Sequence, residues 1–216
     1  MAKCKNNVHV PDRNEFLKGC EEFEKHENRD SMYKVATFLI RHFWGKPIDM
    51  ADGLGVLLLT WNQAFYRYGM FDFDQLEECI NRNFKNIEKF NHRDILSFSD
   101  SDEEDIRNLF NDFLDALQTA SGKKQVRKSP VAVAKALHLL APKFFPLWDE
   151  KIARAYGCYY NENPVVKYIS FCKVMKAVAD KVKGYLSSLD PDKISDKTLI
   201  KLIDEYNYSK YTKGWI

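Results

Sequence analysis

Asp149 stands where a carboxylate can do chemistry. It closes the aromatic-proline segment Lys143-Phe144-Phe145-Pro146-Leu147-Trp148 and opens the run Glu150-Lys151-Ile152-Ala153-Arg154-Ala155-Tyr156-Gly157. A carboxylate at a helix start is favoured in its charged form by the helix dipole, and it can stabilise a positive charge that develops during a reaction. The same residue also suits a plain N-cap, for which aspartate is a preferred type. A second group, Thr60-Trp61-Asn62-Gln63, sets polar amides beside aromatics and continues into Phe65, Tyr66, Arg67 and Tyr68. Rings of this kind can stack on something planar, or they can pack in a core while the amides satisfy neighbouring carbonyls. A third group is basic. Lys123, Lys124, Arg127 and Lys128 precede the aspartate hairpin, and Lys143, Lys151 and Arg154 flank the acid. Such a run reads either as a phosphate-binding surface or as a solvated charged face.

Other chemistries find little in the chain. His9, His26, His42, His92 and His138 are isolated, without H-x-x-x-H or H-E-x-x-H spacing, so no metal is expected. His138 falls near the apolar face of its segment, as either a core histidine or a site residue. Neither a G-x-S-x-G elbow, a Walker loop nor a Gly-rich dinucleotide loop is present, and no cofactor is expected. Cys4, Cys20, Cys79, Cys158 and Cys172 are odd in number and lack C-x-x-C pairing, which argues for reduced thiols.

The elements that must position these residues read as helices. Residues 12–28 carry Phe16, Cys20 and Phe23 at helical spacing, and Asp30-Ser31 can cap a second helix that Gly45 and Pro47 end. A third, about Ala51–Tyr68, is apolar on nearly all sides. Asp72 or Asp74 caps a short helix ending near Asn83, and the acidic run Ser99–Asp105 leads into a helix with core face Ile106, Leu109, Phe110, Phe113 and Leu117. After the polar linker Ser121–Lys128, Ser129 and Pro130 open a helix through Val131, Ala134, Leu137, His138 and Ala141. Pro142 breaks it, and Asp149 starts the next, which Gly157 ends. A long helix, Val165–Leu186, and a short one, Ser195–Glu205, precede a loose tail. The predicted class is all-α, compact and multi-helical around a central helical hairpin. Residues 1–216 form one unit, open to division into a lobe of about 51–128 and another of 1–50 with 129–216.

Composition agrees with an ordinary folded domain: 216 residues, 45% hydrophobic and 30% charged, with a net charge of only +2. The most apolar run, Leu54–Thr60, is too short to cross a bilayer, and the N-terminus lacks the apolar stretch of a signal peptide. A cytoplasmic location without membrane attachment is expected.

The order of these features resembles the helix-hairpin-helix DNA glycosylase superfamily. Its central helix ends in a leucine-rich stretch with Gln or Asn, where this chain has LLLTWNQAFYR. Its aspartate segment has the form P-x-x-F-P-x-D-x-x-[IV]-x-R, matched here by Pro142, Phe145, Pro146, Asp149, Ile152 and Arg154 with one extra residue before the acid. The resemblance spans Leu54–Gly157. The chain departs from the family where the hairpin usually reads G-[VI]-G, because it has Pro130-Val131-Ala132-Val133. The lysine nucleophile of bifunctional members would fall on Val131, with Lys128 and Lys135 on either side, and the iron–sulfur cysteines are absent.

The resemblance implies a monomeric, monofunctional DNA glycosylase acting on double-stranded DNA in base-excision repair or in defence against modified foreign DNA. Lys123, Lys124, Arg127, Lys128, Lys143 and Arg154 would hold the backbone. Asn62 or Gln63 would wedge into the stack, and Trp61, Tyr66, Trp148 and His138 would belong to the base pocket. Asp149 would stabilise the oxocarbenium-like sugar and orient water. The competing reading is a non-catalytic helical nucleic-acid-binding or regulatory protein on the same scaffold, with Asp149 only a cap.

Overall fold

The computed structural model describes residues 9–27, 29–119, 126–189 and 196–216. Among them are ten α-helices and no strand, so the chain is all-α. In chain order these are α1 (Arg13–Glu27), α2 (Ser31–His42), α3 (Pro47–Trp61), α4 (Gln63–Tyr66), α5 (Phe73–Asn91), α6 (Glu103–Ala116), α7 (Pro130–Leu140), α8 (Glu150–Ala155), α9 (Pro164–Val182) and α10 (Leu199–Asn207). Buried hydrophobic side chains from all ten merge into one contiguous core, in which α6 and α7 place Phe110, Phe113, Val133 and Leu137 at zero exposure.

Local chemistry explains most boundaries. Ser129 accepts the Ala132 N–H at 3.2 Å, with Pro130 in the first turn of α7. Asp72 accepts the Asp74 N–H at 2.9 Å and opens α5. Gly157 takes φ +69 just past α8, a left-handed turn that glycine adopts without a Cβ clash.

Five expectations need correction. Pro47 does not close α2 but stands in the first turn of α3. The third helix does not run through to Tyr68; it stops at Trp61, and Asn62 separates it from α4. The helix after Asp72 continues past Asn83 to Asn91, because Ile87 and Phe90 extend the buried face of Leu76, Ile80 and Asn83. The C-terminal segment is no loose tail. After α10 the chain makes a wide π-type turn over Tyr208–Lys213, with Ser209 buried and its hydroxyl donating to Gly19 O at 2.8 Å. Asp30 also departs from its expected role: it precedes α2 with φ 35 and makes no side-chain cap, its carboxylate pairing instead with Lys201 at 2.8 Å.

Candidate functional site

The turn between α7 and α8 is tied down before it reaches Asp149. His138, fully buried on α7, has Nδ1 2.7 Å from the Phe145 carbonyl oxygen and Nε2 3.2 Å from the Tyr33 hydroxyl. A carbonyl can only accept, so Nδ1 carries the proton and Nε2 accepts from Tyr33. Burial pushes the His138 pKa down to about 4, which keeps the ring in this neutral form. One residue on, the Tyr168 hydroxyl donates to Pro146 O at 3.0 Å. Asp149 then caps α8: Oδ1 accepts the Ile152 N–H at 2.7 Å, and Oδ2 accepts the Thr212 hydroxyl at 2.6 Å. The cap predicted from sequence is present, and the second oxygen is held by the C-terminal turn.

Asp149 borders a cavity of about 600 Å³, within the ~300–1,000 Å³ range of small-ligand pockets. Its wall combines Trp61 from α3, Lys135 from α7, Asp149 and Asp204 with aromatic side chains that include Phe23 and Tyr208. Trp61 lies parallel to Tyr33, with 6.2 Å between ring centroids and 6° between planes. The Lys135 ammonium donates to Trp61 O and to Asn62 Oδ1, each at 2.8 Å. Burial lowers the Lys135 pKa to about 8, against the pull of Asp149 and Asp204. An amine with a lowered pKa on a cavity wall that also carries carboxylates marks a candidate site.

Several residues singled out from sequence lie elsewhere. Asn62 is 9% exposed, accepts from Lys135 and reaches Ser129 Oγ at 3.4 Å, so it is a buried junction residue rather than a wedge. Gln63 beside it is exposed. Tyr66 is buried and donates its hydroxyl to Leu117 O at 2.8 Å, away from the cavity. His138 is a positioning core residue. Trp148 reaches the cavity wall but is 1% exposed and packs among Phe110, Tyr160, Tyr168 and Phe171. Its indole N–H has no acceptor among the described residues.

The basic residues also separate. Lys123 and Lys124 lie outside the described residues. Arg127 donates to Phe65 O at 2.8 Å and covers the Phe65 ring, and Lys128 pairs with Asp115. Arg154 pairs with Glu150 at 2.8 Å and stacks 3.6 Å from the Tyr159 ring centroid. Lys143 faces a second cavity, of about 540 Å³, together with Arg41, His92 and Lys197.

Two charged residues of the cavity wall and the Thr212 partner of Asp149 carry no role in the sequence pattern. Lys201, Asp204 and Thr212 come from the C-terminal segment, where their spacing suggests an ordinary charged helix and tail. The one available signal was Tyr206 and Tyr211, large aromatics in a stretch read as loose. Among the described residues no cluster of three or more His, Cys, Asp or Glu could hold a metal, and no helix is long and apolar enough to cross a membrane. Comparison of the chain with protein-family models, with curated proteins and with solved structures returned no match.

Proposed function

We propose that this protein is a DNA glycosylase that extrudes a damaged or modified base and hydrolyses its N-glycosidic bond. The observation that carries the reading is the seat of Asp149. A carboxylate fixed by a backbone N–H and a hydroxyl stands on the wall of a cavity that also presents Trp61 and Lys135. As the glycosidic bond breaks, the sugar gains positive charge. A carboxylate held in place stabilises that charge without reorganising and can orient the attacking water. Trp61 offers a ring face to an extruded base, an arrangement that reads any base by stacking. Gln63, exposed next to that wall, is the remaining wedge candidate. Arg127, Lys128 and Arg154 would exchange their present partners for phosphates on a duplex, which makes affinity fall with salt. The protein would act as a monomer in the cytoplasm.

Lys135 favours a second reading, in which an amine attacks the sugar after base loss and nicks the strand. Its lowered pKa and its place in the same cavity support this, while its two hydrogen bonds hold it as a donor on its own wall. Both readings are tested by incubating the protein with duplexes that each carry one modified base and measuring free base by mass spectrometry, with and without borohydride. Base release without a trapped adduct supports hydrolysis. An adduct lost in Lys135→Met supports the amine. Salt-sensitive binding with no base released from any duplex would replace both with a non-catalytic binding protein.

A further inference from the structure

Besides Asp149 the cavity is lined by Glu27, Asp30 and Asp204, carboxylates for which the reaction above has no task. Asp204 lies on α10, whose start is fixed by Thr198: its Oγ1 accepts the Lys201 N–H at 3.1 Å and donates to Pro142 O at 2.9 Å. That anchor ties α10 to the same turn that delivers Asp149. The charges facing Asp204 come from every side. Lys201 and Glu205 share its helix, Asp30 arrives from the head of α2, Asp149 from the head of α8 and Lys135 from α7.

Lys201 is the hub. Its Nζ is 2.8 Å from Asp30, 3.6 Å from Asp204 and 3.9 Å from Glu205. Glu205 is fully buried and takes Lys197 at 3.0 Å, with Glu24 on the far side of that lysine at 3.3 Å. Four carboxylates therefore share two lysines, and a low-dielectric site of this kind favours retaining a proton. Lys201 is closest to Asp30, and Lys197 is closest to Glu205. Asp204 is left with the longer 3.6 Å contact, and of the two acids on α10 that share Lys201 it is the one on the cavity wall. Burial, with Asp149 and Asp30 adding to it against Lys201, raises the Asp204 pKa to about 6.

We propose that Asp204 is the general acid of the reaction, giving its proton to the departing base while Asp149 faces the sugar. This rests on the glycosylase reading above. The glycosidic C–N bond breaks with its electron pair passing to the base, and the Asp204 proton moves to a ring nitrogen or carbonyl oxygen of that base. Water adds to the anomeric carbon and loses its proton to Asp149, and exchange with solvent returns that proton to Asp204. The products are the neutral free base and an abasic sugar. Two carboxylates that divide the work, one giving a proton to the leaving group and one facing the sugar, are the arrangement that glycoside hydrolysis also uses. The substrate class follows. A neutral base leaves as an anion unless it is protonated, whereas an alkylated cationic base leaves neutral without help. The site is built for neutral bases.

The test compares wild type with Asp204→Asn in single-turnover base release. The probes are the neutral-base duplex that wild type cleaves best and a duplex carrying 7-methylguanine. General acid catalysis contributes ~10²–10⁴-fold, so the variant should lose about that factor on the neutral base and little on any cationic-base release. The wild-type rate should fall above about pH 6, and that limb should be missing from the variant. If the variant keeps both rate and limb, or if the limb survives in Asp204→Asn and disappears in Lys135→Met, the assignment to Asp204 is overturned while the role of Asp149 stands. If wild type releases no base from any duplex, both proposals fall. Should Asp204→Asn not fold, wild type alone decides through a series of neutral bases of graded basicity. A rate that depends steeply on unassisted leaving ability would overturn the proposal, and a shallow dependence would support it.

Discussion

The Thr212 hydroxyl donates to Asp149 Oδ2 at 2.6 Å, across 63 residues of sequence. This contact joins the π-type turn after α10 to the start of α8, and it leaves the carboxylate oriented from both sides. A hydrogen bond to a charged group contributes ~1.5–3 kcal/mol, less where water reaches it. Thr212→Val should therefore destabilise the fold by about 1 kcal/mol. It should also slow base release, since the carboxylate could then rotate, whereas Thr212→Ser should restore both. Thermal melting and single-turnover rates on the three proteins check this together.

Lys135 is the second test of the site. Removing its ammonium in Lys135→Met leaves Trp61 O and Asn62 Oδ1 without their donor, at a cost of ~1–3 kcal/mol for each group that water cannot reach. Fluorescence of the tryptophans should report a shifted Trp61 environment. A variant with unchanged stability and spectrum would show that the α3–α7 junction does not depend on this lysine.

Two of the buried titrating groups, His138 and Glu205, predict opposite pH dependences. His138 is held neutral, with its pKa pushed down to about 4 from an ordinary ~6.5. Between those values the unfolded chain binds more protons, so stability rises with pH across that window and is lost as pH falls through it. Glu205 behaves the other way. Burial raises its pKa to about 7, so the folded chain binds more protons between about pH 4 and 7 and its contribution declines as pH rises. Glu205→Gln should remove the Glu205 share of that decline, so that the denaturant midpoint falls less or rises more between about pH 4 and 7 than in wild type, with Asp204 still opposing His138 up to about pH 6. Equal pH profiles for the two proteins would contradict this assignment.

Gly19 sets the distance between α1 and α10. A Cβ there would meet Tyr206 Cδ2 at 2.7 Å and Tyr206 Cα at 3.2 Å, and the second contact is backbone. Gly19→Ala should cost ~1–3 kcal/mol of stability through overpacking, and by displacing α10 it should weaken the pairing of Lys201 with Asp30. Urea unfolding with the protein at neutral pH measures the first effect directly.

Much of the helical skeleton was legible in local sequence, because its signals act within a turn or two. Ser129, Asp72 and Asp149 are caps whose side chains bond their own neighbours, and Pro130 and Gly157 act through their backbone angles. The apolar spacing of α6 was equally plain, and all five of its expected core residues are buried. The site was only half legible. Asp149 and Trp61 could be named from their segments, but Lys135 enters the cavity because α7 packs on α3. Asn62 is withdrawn from solvent by that same lysine. Lys201, Asp204 and Glu205 fall in a segment whose pattern shows only a short helix, because charge alone does not reveal burial. Lys201 pairs with Asp30 at the head of α2, a partner far away in sequence. Asn83 misled in the opposite sense: a polar residue suggested the end of α5, yet its amide donates to Cys79 O and Asp112 inside the packed interface.

In the proposed reaction Asp149 is a catalytic carboxylate as well as a cap, and Asp149→Asn separates the two roles. Asparagine caps a helix about as well as aspartate, so melting should stay within a few tenths of a kcal/mol of wild type. The measurement is strand cleavage of modified-base duplexes followed by alkali, which cuts at abasic sites. A catalytic Asp149 requires alkali-dependent cleavage by wild type that falls by at least about 100-fold in Asp149→Asn with the fold intact. Undiminished cleavage by the variant, or no abasic product from wild type on any duplex, would contradict it.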